Sequence, residues 1–138
     1  IWDQTPYGAT LHFMEPEVDA GDIVARKREP IRIDDTADEL YNRVKRTEFD
    51  LFKQTWPLLA EFSYERQPQS ESEATSHSRA DIDDIQQLHL EETVETGELL
   101  RKLKALTTND TGEAAVFEHD GERYRVQVSI TPEKEIEQ

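Results

Sequence analysis

The stretch "GATLHFMEPEVDAGDIV", from Gly8 to Val24, decides the fold of this chain. Apolar and polar residues alternate over positions 9–14, which is the period of a β-strand, and His12 shares the polar face with Thr10. An acid-rich segment follows, and the chain returns at once to an apolar pair at Ile23. The pattern predicts two strands joined by a loop. Because a surface hairpin rarely needs a histidine and four acids, we interpret this segment as a candidate active-site loop.

Composition bounds the possible functions. The chain has 138 residues and a formal net charge of -15, from 31 acids and 16 bases. Such a charge repels a phosphate backbone, so we expect no nucleic-acid partner, and it suits solubility in high salt, where self-repulsion is screened. There is no cysteine, and no apolar run approaches the roughly 20 residues of a membrane span. We therefore expect a cytoplasmic protein with no membrane association, and its start at Ile1 suggests a piece of a longer chain.

A long amphipathic helix is predicted after the second extended segment, which reaches about residue 33 with a break near Pro30. The helix covers "DDTADELYNRVKRTEFDLFKQTWPLL", where Thr36 and Glu39 form a capping box and Pro57 marks the last turn or a kink. Its apolar residues recur at helical spacing. The predicted stripe consists of Leu40, Val44, Leu51 and Leu58, widened by Tyr41, Phe52 and Leu59.

The C-terminal part reads as a helix and a hairpin. Residues 63–87 are polar with little periodicity and predict a linker or a surface excursion. A helix is predicted over Thr96 to Leu106, followed by a hairpin whose two-residue turn is Asp120–Gly121. The second strand of that hairpin is expected to alternate through Tyr124, Val126, Val128 and Ile130.

Few residues could carry chemistry. Four histidines without cysteine give no convincing metal spacing, so no metal site is predicted. The remaining pair is His12 and Asp19, because a carboxylate beside a histidine can orient its ring or relay a proton through water. Spacing alone leaves the alternative open that His12 is an ordinary strand histidine and Asp19 an ordinary turn acid.

The same stretch resembles the signature of the folate-dependent formyltransferases, a strand with T-x-H followed by a short loop that ends in an aspartate and a glycine. The matching residues are His12, Asp19, Gly21 and Asp22, whereas Ala20 stands where threonine or glycine is commoner. The similarity continues through the long helix and into "RQPQSESEATSHSRADIDDI", which is similar to a segment of the sugar-modifying members. The resemblance implies an α/β fold: the C-terminal half of a Rossmann-like formyltransferase catalytic domain plus a small α+β region.

The resemblance also implies a reaction and its site. An amine attacks the formyl carbon of 10-formyltetrahydrofolate, Asp19 orients a catalytic histidine and relays a proton, and His12 supports it. The loop residues Glu15, Pro16, Val18 and Asp19 would line the pterin pocket. The family's catalytic asparagine and histidine belong upstream of this motif, and no Asn-x-His precedes Gly8. The chain is therefore expected to be inactive alone.

Three acceptors compete within that family, and we favour an amino-sugar nucleotide over glycinamide ribonucleotide and methionyl-tRNA. The acidic C-terminal part disfavours tRNA, and a helix and hairpin after the catalytic part disfavour the glycinamide ribonucleotide enzymes. The non-catalytic alternative is a dimerisation module. We divide the chain into the end of the catalytic domain (1–62), a connection (63–90) and a C-terminal region (91–138). Because a lone hairpin leaves a strand edge uncovered, we expect a homodimer through it.

Overall fold

The computed structural model describes residues 1–16, 21–69 and 80–133, without the side chains of residues 80, 81 and 84. Within these ranges the order of elements is two strands, three helices and two further strands. The strands are β1 (Tyr7–His12), β2 (Ile23–Glu29), β3 (Ala115–His119) and β4 (Glu122–Val126). The helices are α1 (Ala37–Ala60), α2 (Ala80–Gln86) and α3 (Thr96–Ala105), and a short 3-10 helix covers Thr111–Glu113.

Contacts divide the chain into two units. The ribbon unit contains β1, β2, the part of α1 from Tyr41 onward and the described residues that follow that helix. The C-terminal unit contains residues 1–5 and 31–40, then α2, α3 and the β3–β4 hairpin. Each unit has its own antiparallel pair of strands, β1 with β2 and β3 with β4.

The ribbon unit forms as the alternation predicts. Ala9 is buried on one face of β1, and β2 ends at Glu29, directly before Pro30, because proline has no N–H to donate to a partner strand. The side chains of Glu29 and Thr47 join the ribbon to α1 through a hydrogen bond of 2.5 Å, in which the threonine hydroxyl donates. Arg43 adds an ion pair to the same carboxylate at 3.4 Å. These contacts fix one face of the ribbon against the helix.

Helix α1 begins at the predicted capping box. The backbone N–H of Thr36 donates to Glu39 Oε2 at 2.9 Å, and the N–H of Glu39 donates to Thr36 Oγ1 at 3.3 Å. Pro57 lies in the last turn, where the helix ends at Ala60. The predicted apolar stripe is buried at Leu40, Val44 and Leu51, and buried Thr47 and Thr55 lie on the same face. The prediction is wrong for Leu58, Tyr41 and Phe52, which are exposed.

The C-terminal unit is built around α3. Leu103, Leu106 and Ala115 form a buried cluster. Val116 is paired in parallel with Gln87, and its carbonyl accepts a hydrogen bond of 2.7 Å from the N–H of Leu88. The partly buried residues packed on the cluster are Ile82, Ile85, Leu88, Leu99, Val126 and Val128.

Two features of this unit differ from the sequence-based prediction. Helix α2 lies inside the segment that was predicted to be a linker, because its Ile82 and Ile85 reach the buried cluster although their surroundings are polar. Strand β4 ends at Val126, so Val128 is not part of a ladder. Its backbone N–H donates to Thr107 Oγ1 at 3.1 Å instead, which replaces a strand partner by a side chain.

The predicted turn at Asp120–Gly121 is confirmed, with φ angles of 51° and 81°. Within the described ranges, no helix is both long and apolar enough to cross a lipid bilayer.

Candidate active site

The candidate site begins at the end of β1. Leu11 pairs with Ala25 and His12 with Ile23, so the extra residue, Val24, lies on β2. The alternation of β1 therefore continues without interruption, and His12 stays on the face of Thr10. A bulge of this kind bends the bulged strand and increases the local twist.

The imidazole of His12 is oriented by its own chain. Its Nδ1 lies 3.0 Å from the carbonyl oxygen of Phe13. Because a carbonyl only accepts, Nδ1 is the nitrogen that carries the proton in this contact. The side chain is half-buried. The contact therefore fixes the imidazole relative to the end of β1.

The two ends of the loop are held together by backbone contacts. The N–H of Phe13 donates to the carbonyl of Asp22 at 3.0 Å. Gly21 is buried beside this bond, and a Cβ at that position would lie 1.7 Å from the carbonyl oxygen of Phe13. No side chain fits such a distance, so glycine is required here by the close approach of two backbones.

A third segment closes the base of the loop. Ile23 and Gln67 exchange two backbone hydrogen bonds of 2.8 Å, as an isolated antiparallel bridge. The Gln69 amide donates to the carbonyl of Gly21 at 2.6 Å. The segment 64–69 thus lies beside the start of β2 and holds the exit of the loop. It is more than 40 residues away from the loop in the sequence.

The entry of the loop is covered by an aromatic and cationic cluster. The guanidinium of Arg66 lies 3.9 Å from the ring centre of Phe13, whose ring is 5.6 Å from that of Tyr64. The same guanidinium is 3.9 Å from a carboxylate oxygen of Asp22. A cation stacked on a ring and paired with a carboxylate is held in one orientation. Arg66 therefore couples the start of the loop to its end.

The structure describes some of the predicted site residues and not others. His12 lies at the mouth of the loop, and Glu15 and Pro16 are exposed on its entering arm. Val18 and Asp19 lie outside the described residues. The predicted closeness of Asp19 and His12 thus stays a prediction, as does the role of each residue in lining a pocket.

Sequence reasoning missed the three residues that hold the base of the loop: Arg66 and Gln69 through their side chains, and Gln67 through its backbone. It placed them in a polar linker, because neither hydrophobic periodicity nor a turn signal distinguishes a polar segment that pairs with a strand. Only the resemblance of the stretch starting at Arg66 to the sugar-modifying enzymes marked this segment. In the described part of the chain, no three histidine or acidic side chains stand close enough to hold a metal ion.

Two family models match this chain. The model described as formyl transferase matches residues 3–55, and the one described as N-formyltransferase dimerization C-terminal domain matches residues 81–132. The first match contains the ribbon, the loop and most of α1. The second contains nearly all of α2, then α3 and the hairpin.

Two curated relatives show the range of similar proteins. A dTDP-4-amino-4,6-dideoxyglucose formyltransferase from Mycobacterium tuberculosis is 27% identical over 137 residues, which are 99% of this chain and 58% of the relative. A methionyl-tRNA formyltransferase from Geobacillus thermodenitrificans is 34% identical over 76 residues, which are 54% of this chain and 24% of the relative. The chain thus spans less than two thirds of the length of the proteins that it matches.

Solved structures confirm the predicted α/β fold. A sugar N-formyltransferase from a Shewanella species superposes with a TM-score of 0.79 at 27% identity, over 95% of this chain and 53% of that chain. An N-formyltransferase from Helicobacter canadensis, in complex with folinic acid and dTDP-3-aminofucose, gives a TM-score of 0.64 at 24% identity, over 81% of this chain and 40% of that chain. The second likeness concerns the fold alone.

Proposed function

Because the chain belongs to the formyltransferase family, we propose that it forms the C-terminal part of a 10-formyltetrahydrofolate-dependent N-formyltransferase that acts on an amino-sugar nucleotide. The observation that carries this proposal is the pair of family matches in one chain, over residues 3–55 and 81–132. We propose residues 1–62 as the end of the catalytic domain, 63–90 as a connection and 91–138 as the C-terminal region. The proposal includes a cytoplasmic location.

In the proposed reaction the acceptor amine attacks the formyl carbon, a new N–C bond forms, and the bond from that carbon to the folate nitrogen breaks. The ammonium proton must leave, and the folate nitrogen must gain a proton. Asp19 would relay the proton, and His12, whose ring is oriented by the carbonyl of Phe13, would support it by holding a water in place. The loop from Glu15 to Asp19 would line the pterin pocket, and Gly21 with Arg66 would fix its two arms.

An amino-sugar nucleotide is a better acceptor than tRNA for this chain. The sugar formyltransferase from Mycobacterium tuberculosis aligns with 99% of the chain, and the tRNA enzyme with 54%. The net charge of -15 opposes binding of a long polyanion, whereas a sugar nucleotide needs only a local basic spot. The dimerization match lies in the C-terminal part, where a tRNA enzyme would need basic surface.

Formyl transfer to a dTDP-amino sugar, in a protein completed by the upstream half of the catalytic domain, tests the proposal. We expect Asp19→Asn to lower kcat by about 100-fold or more, because an amide keeps the shape but cannot accept the proton. Asp50→Asn, the same change at an exposed position on α1, is the matched control. An Asp19→Asn variant with the turnover of the control would assign Asp19 a structural role. Formyl product made by the 138-residue chain alone would contradict the proposal that the upstream half supplies part of the active site.

The proposal extends to a homodimer through the C-terminal hairpin. Phe117 and Tyr124 stack across the hairpin with ring centres 5.2 Å apart, and Tyr124 remains 45% exposed at the surface. A second copy covering this face would bury Tyr124 with Phe117, beside Val126 and Val128, which already pack on the buried cluster of their own chain. Because both copies are acidic, the dimer should strengthen as salt rises, which would also suit a salt-adapted protein.

Light scattering at low and high salt tests the dimer. We expect Tyr124→Ser to weaken association in high salt, and Tyr41→Ser, an equally exposed tyrosine on α1, to leave it unchanged. A monomer in high salt at high protein concentration would overturn this part of the proposal.

A further inference from the structure

The outer face of the β1–β2 ribbon carries two arginines side by side. Arg26 pairs across the ribbon with Thr10, and Arg28 pairs with Gly8. Directly opposed residues of an antiparallel pair lie on one face, and so do residues two apart on a strand. All four residues are exposed, whereas the opposite face carries the buried Ala9. The two arginines therefore present their charges to the same open surface.

Neither of these two arginines makes an ion pair, hydrogen bond or ring contact with the rest of the described chain. Lys27, between them in sequence, lies on the other face, where its charge helps to lower the pKa of Glu29. Two other arginines of the same unit are paired, Arg43 with Glu29 and Arg66 with Asp22, whereas Arg46 on α1 has no ion pair among the described residues. In a chain with 31 acids and 16 bases, two neighbouring guanidinium groups without a carboxylate partner among the described residues are available to an anionic ligand.

Gly8 keeps the surface beside this pair clear of side-chain atoms. A Cβ at Gly8 would lie 2.2 Å from the carbonyl oxygen of Lys27 and 2.8 Å from the Cα of Arg28, both atoms of the backbone. A hollow of about 370 Å³ lies here, lined by residues 6–10 and 26–28. An anion can therefore approach the strand between the arginine side chains and the hydroxyl of Thr10.

This surface leads directly to the candidate active site. Thr10 and His12 share a face of β1. The cross-strand pair of Thr10 and Arg26 therefore lies about 7 Å from His12 along the strand, and the pair of Gly8 and Arg28 about 13 Å. Both arginines reach further with their long side chains. Consider a ligand whose reacting atom lies near His12 and whose negative charge lies one sugar ring away from that atom. Such a ligand would place its charge over Arg26 and Arg28.

We propose that Arg26 and Arg28 bind the diphosphate of the sugar nucleotide. This inference rests on the proposed function and names the residues that hold the acceptor. Each guanidinium can bind two phosphate oxygens in a fork, so two forks on one face suit two adjacent phosphate groups. The other anion of the reaction is the γ-glutamyl tail of the folate, whose carboxylates are single charges separated by a flexible chain. The contiguous charge of the diphosphate fits the paired arginines better.

Calorimetric titration of the 138-residue chain with inorganic pyrophosphate, dTDP and tri-γ-glutamate tests the inference at low salt. The test variant is Arg26→Gln with Arg28→Gln. The matched control is Arg123→Gln with Arg125→Gln, which removes the same charge from residues two apart on exposed β4. We expect pyrophosphate and dTDP to bind the unmodified chain and the control equally, and the test variant at least about tenfold more weakly. Equal binding of pyrophosphate to the unmodified chain, the test variant and the control would overturn the inference. Tighter binding of tri-γ-glutamate than of pyrophosphate to the unmodified chain would overturn it as well.

Steady-state kinetics of the completed protein separates this inference from the proposed function. Loss of the pair should raise the KM for the amino-sugar nucleotide at least about tenfold, with the KM for 10-formyltetrahydrofolate unchanged. Formyl transfer with an unchanged KM for the sugar nucleotide would overturn the role of the arginines and leave the proposed function standing. If the unmodified protein binds pyrophosphate but yields no formyl product, the proposed function is wrong. The anion site would then no longer be assigned to the acceptor.

Discussion

The molecule contains two antiparallel strand pairs that are built in different ways. The β3–β4 hairpin is joined by the two residues Asp120 and Gly121, and its register follows from that turn. The β1–β2 ribbon is joined by residues 13–22, carries a bulge at His12, and is completed by Gln67 from far along the chain. The short turn fixes the register of its hairpin, whereas the long connection contains the loop that we propose as part of the active site.

The arginines of the two strand pairs also differ in their contacts. On β4, Arg123 lies 3.6 Å from Glu118, and Arg125 donates to the carbonyl of Gly112 at 2.7 Å. On β2, Arg26 and Arg28 have no such partners among the described residues. The same residue spacing therefore serves surface structure in one pair and, as we propose, ligand binding in the other.

The largest effect on stability is expected at the base of the loop. Gly21→Ala forces a Cβ to within 1.7 Å of the Phe13 carbonyl, so the backbone must move, and we expect the ribbon unit to lose about 3 kcal/mol. Hydrogen exchange of the β1 and β2 amides measures this loss within the unit. Gly97→Ala is the control, because its Cβ would meet nothing within 4 Å and it lies on helix α3, where alanine is the better helix former. Protection of the ribbon amides in Gly21→Ala equal to that in Gly97→Ala would contradict the close approach.

A smaller effect is expected at the tight turn. Gly121→Ala places an L side chain at φ 81°, which costs about 1–2 kcal/mol although its Cβ would have open space. Gly121→Asn should recover part of this loss, since asparagine adopts the left-handed region more readily. Thermal unfolding followed by near-ultraviolet circular dichroism of Tyr124 compares the variants. If alanine and asparagine destabilise equally, backbone conformation does not set the cost at this turn.

The smallest effect is a pH dependence in the ribbon unit. The hydrogen bond from Thr47, more than the charges of Lys27 and Arg43, holds the pKa of Glu29 below its ordinary value. A carboxyl whose pKa is lowered by folding stabilises the protein above its unfolded pKa, and this contribution is lost as pH falls through the lower folded pKa. We expect Thr47→Val to raise the pKa of Glu29, as measured by carbon-detected NMR titration. An unchanged pKa would assign the shift to the two cations.

Much of the fold could be predicted because its signals are local. The capping box at Thr36, the positive φ angles at Asp120 and Gly121, and the helix over Thr96–Ala105 all depend on residues a few positions apart. Helix α2 could not be predicted in the same way. Its formation depends on Ile82 and Ile85 reaching a cluster formed by α3 and β3, which lie later in the chain.

The strand-loop-strand pattern around His12, the acidic loop and the likeness to formyltransferases follow from the amino-acid order alone, because alternation, charge and motif are properties of neighbouring residues. The polar residues that hold the loop were identified only from the folded structure. Gln67 and Gln69 complete its base, and Arg66 contacts both of its arms. Arg26 and Arg28 lie on the face of His12 and have no partner in the described part of the chain. A side chain's partners depend on which distant segments pack beside it, and a linear pattern does not contain that information.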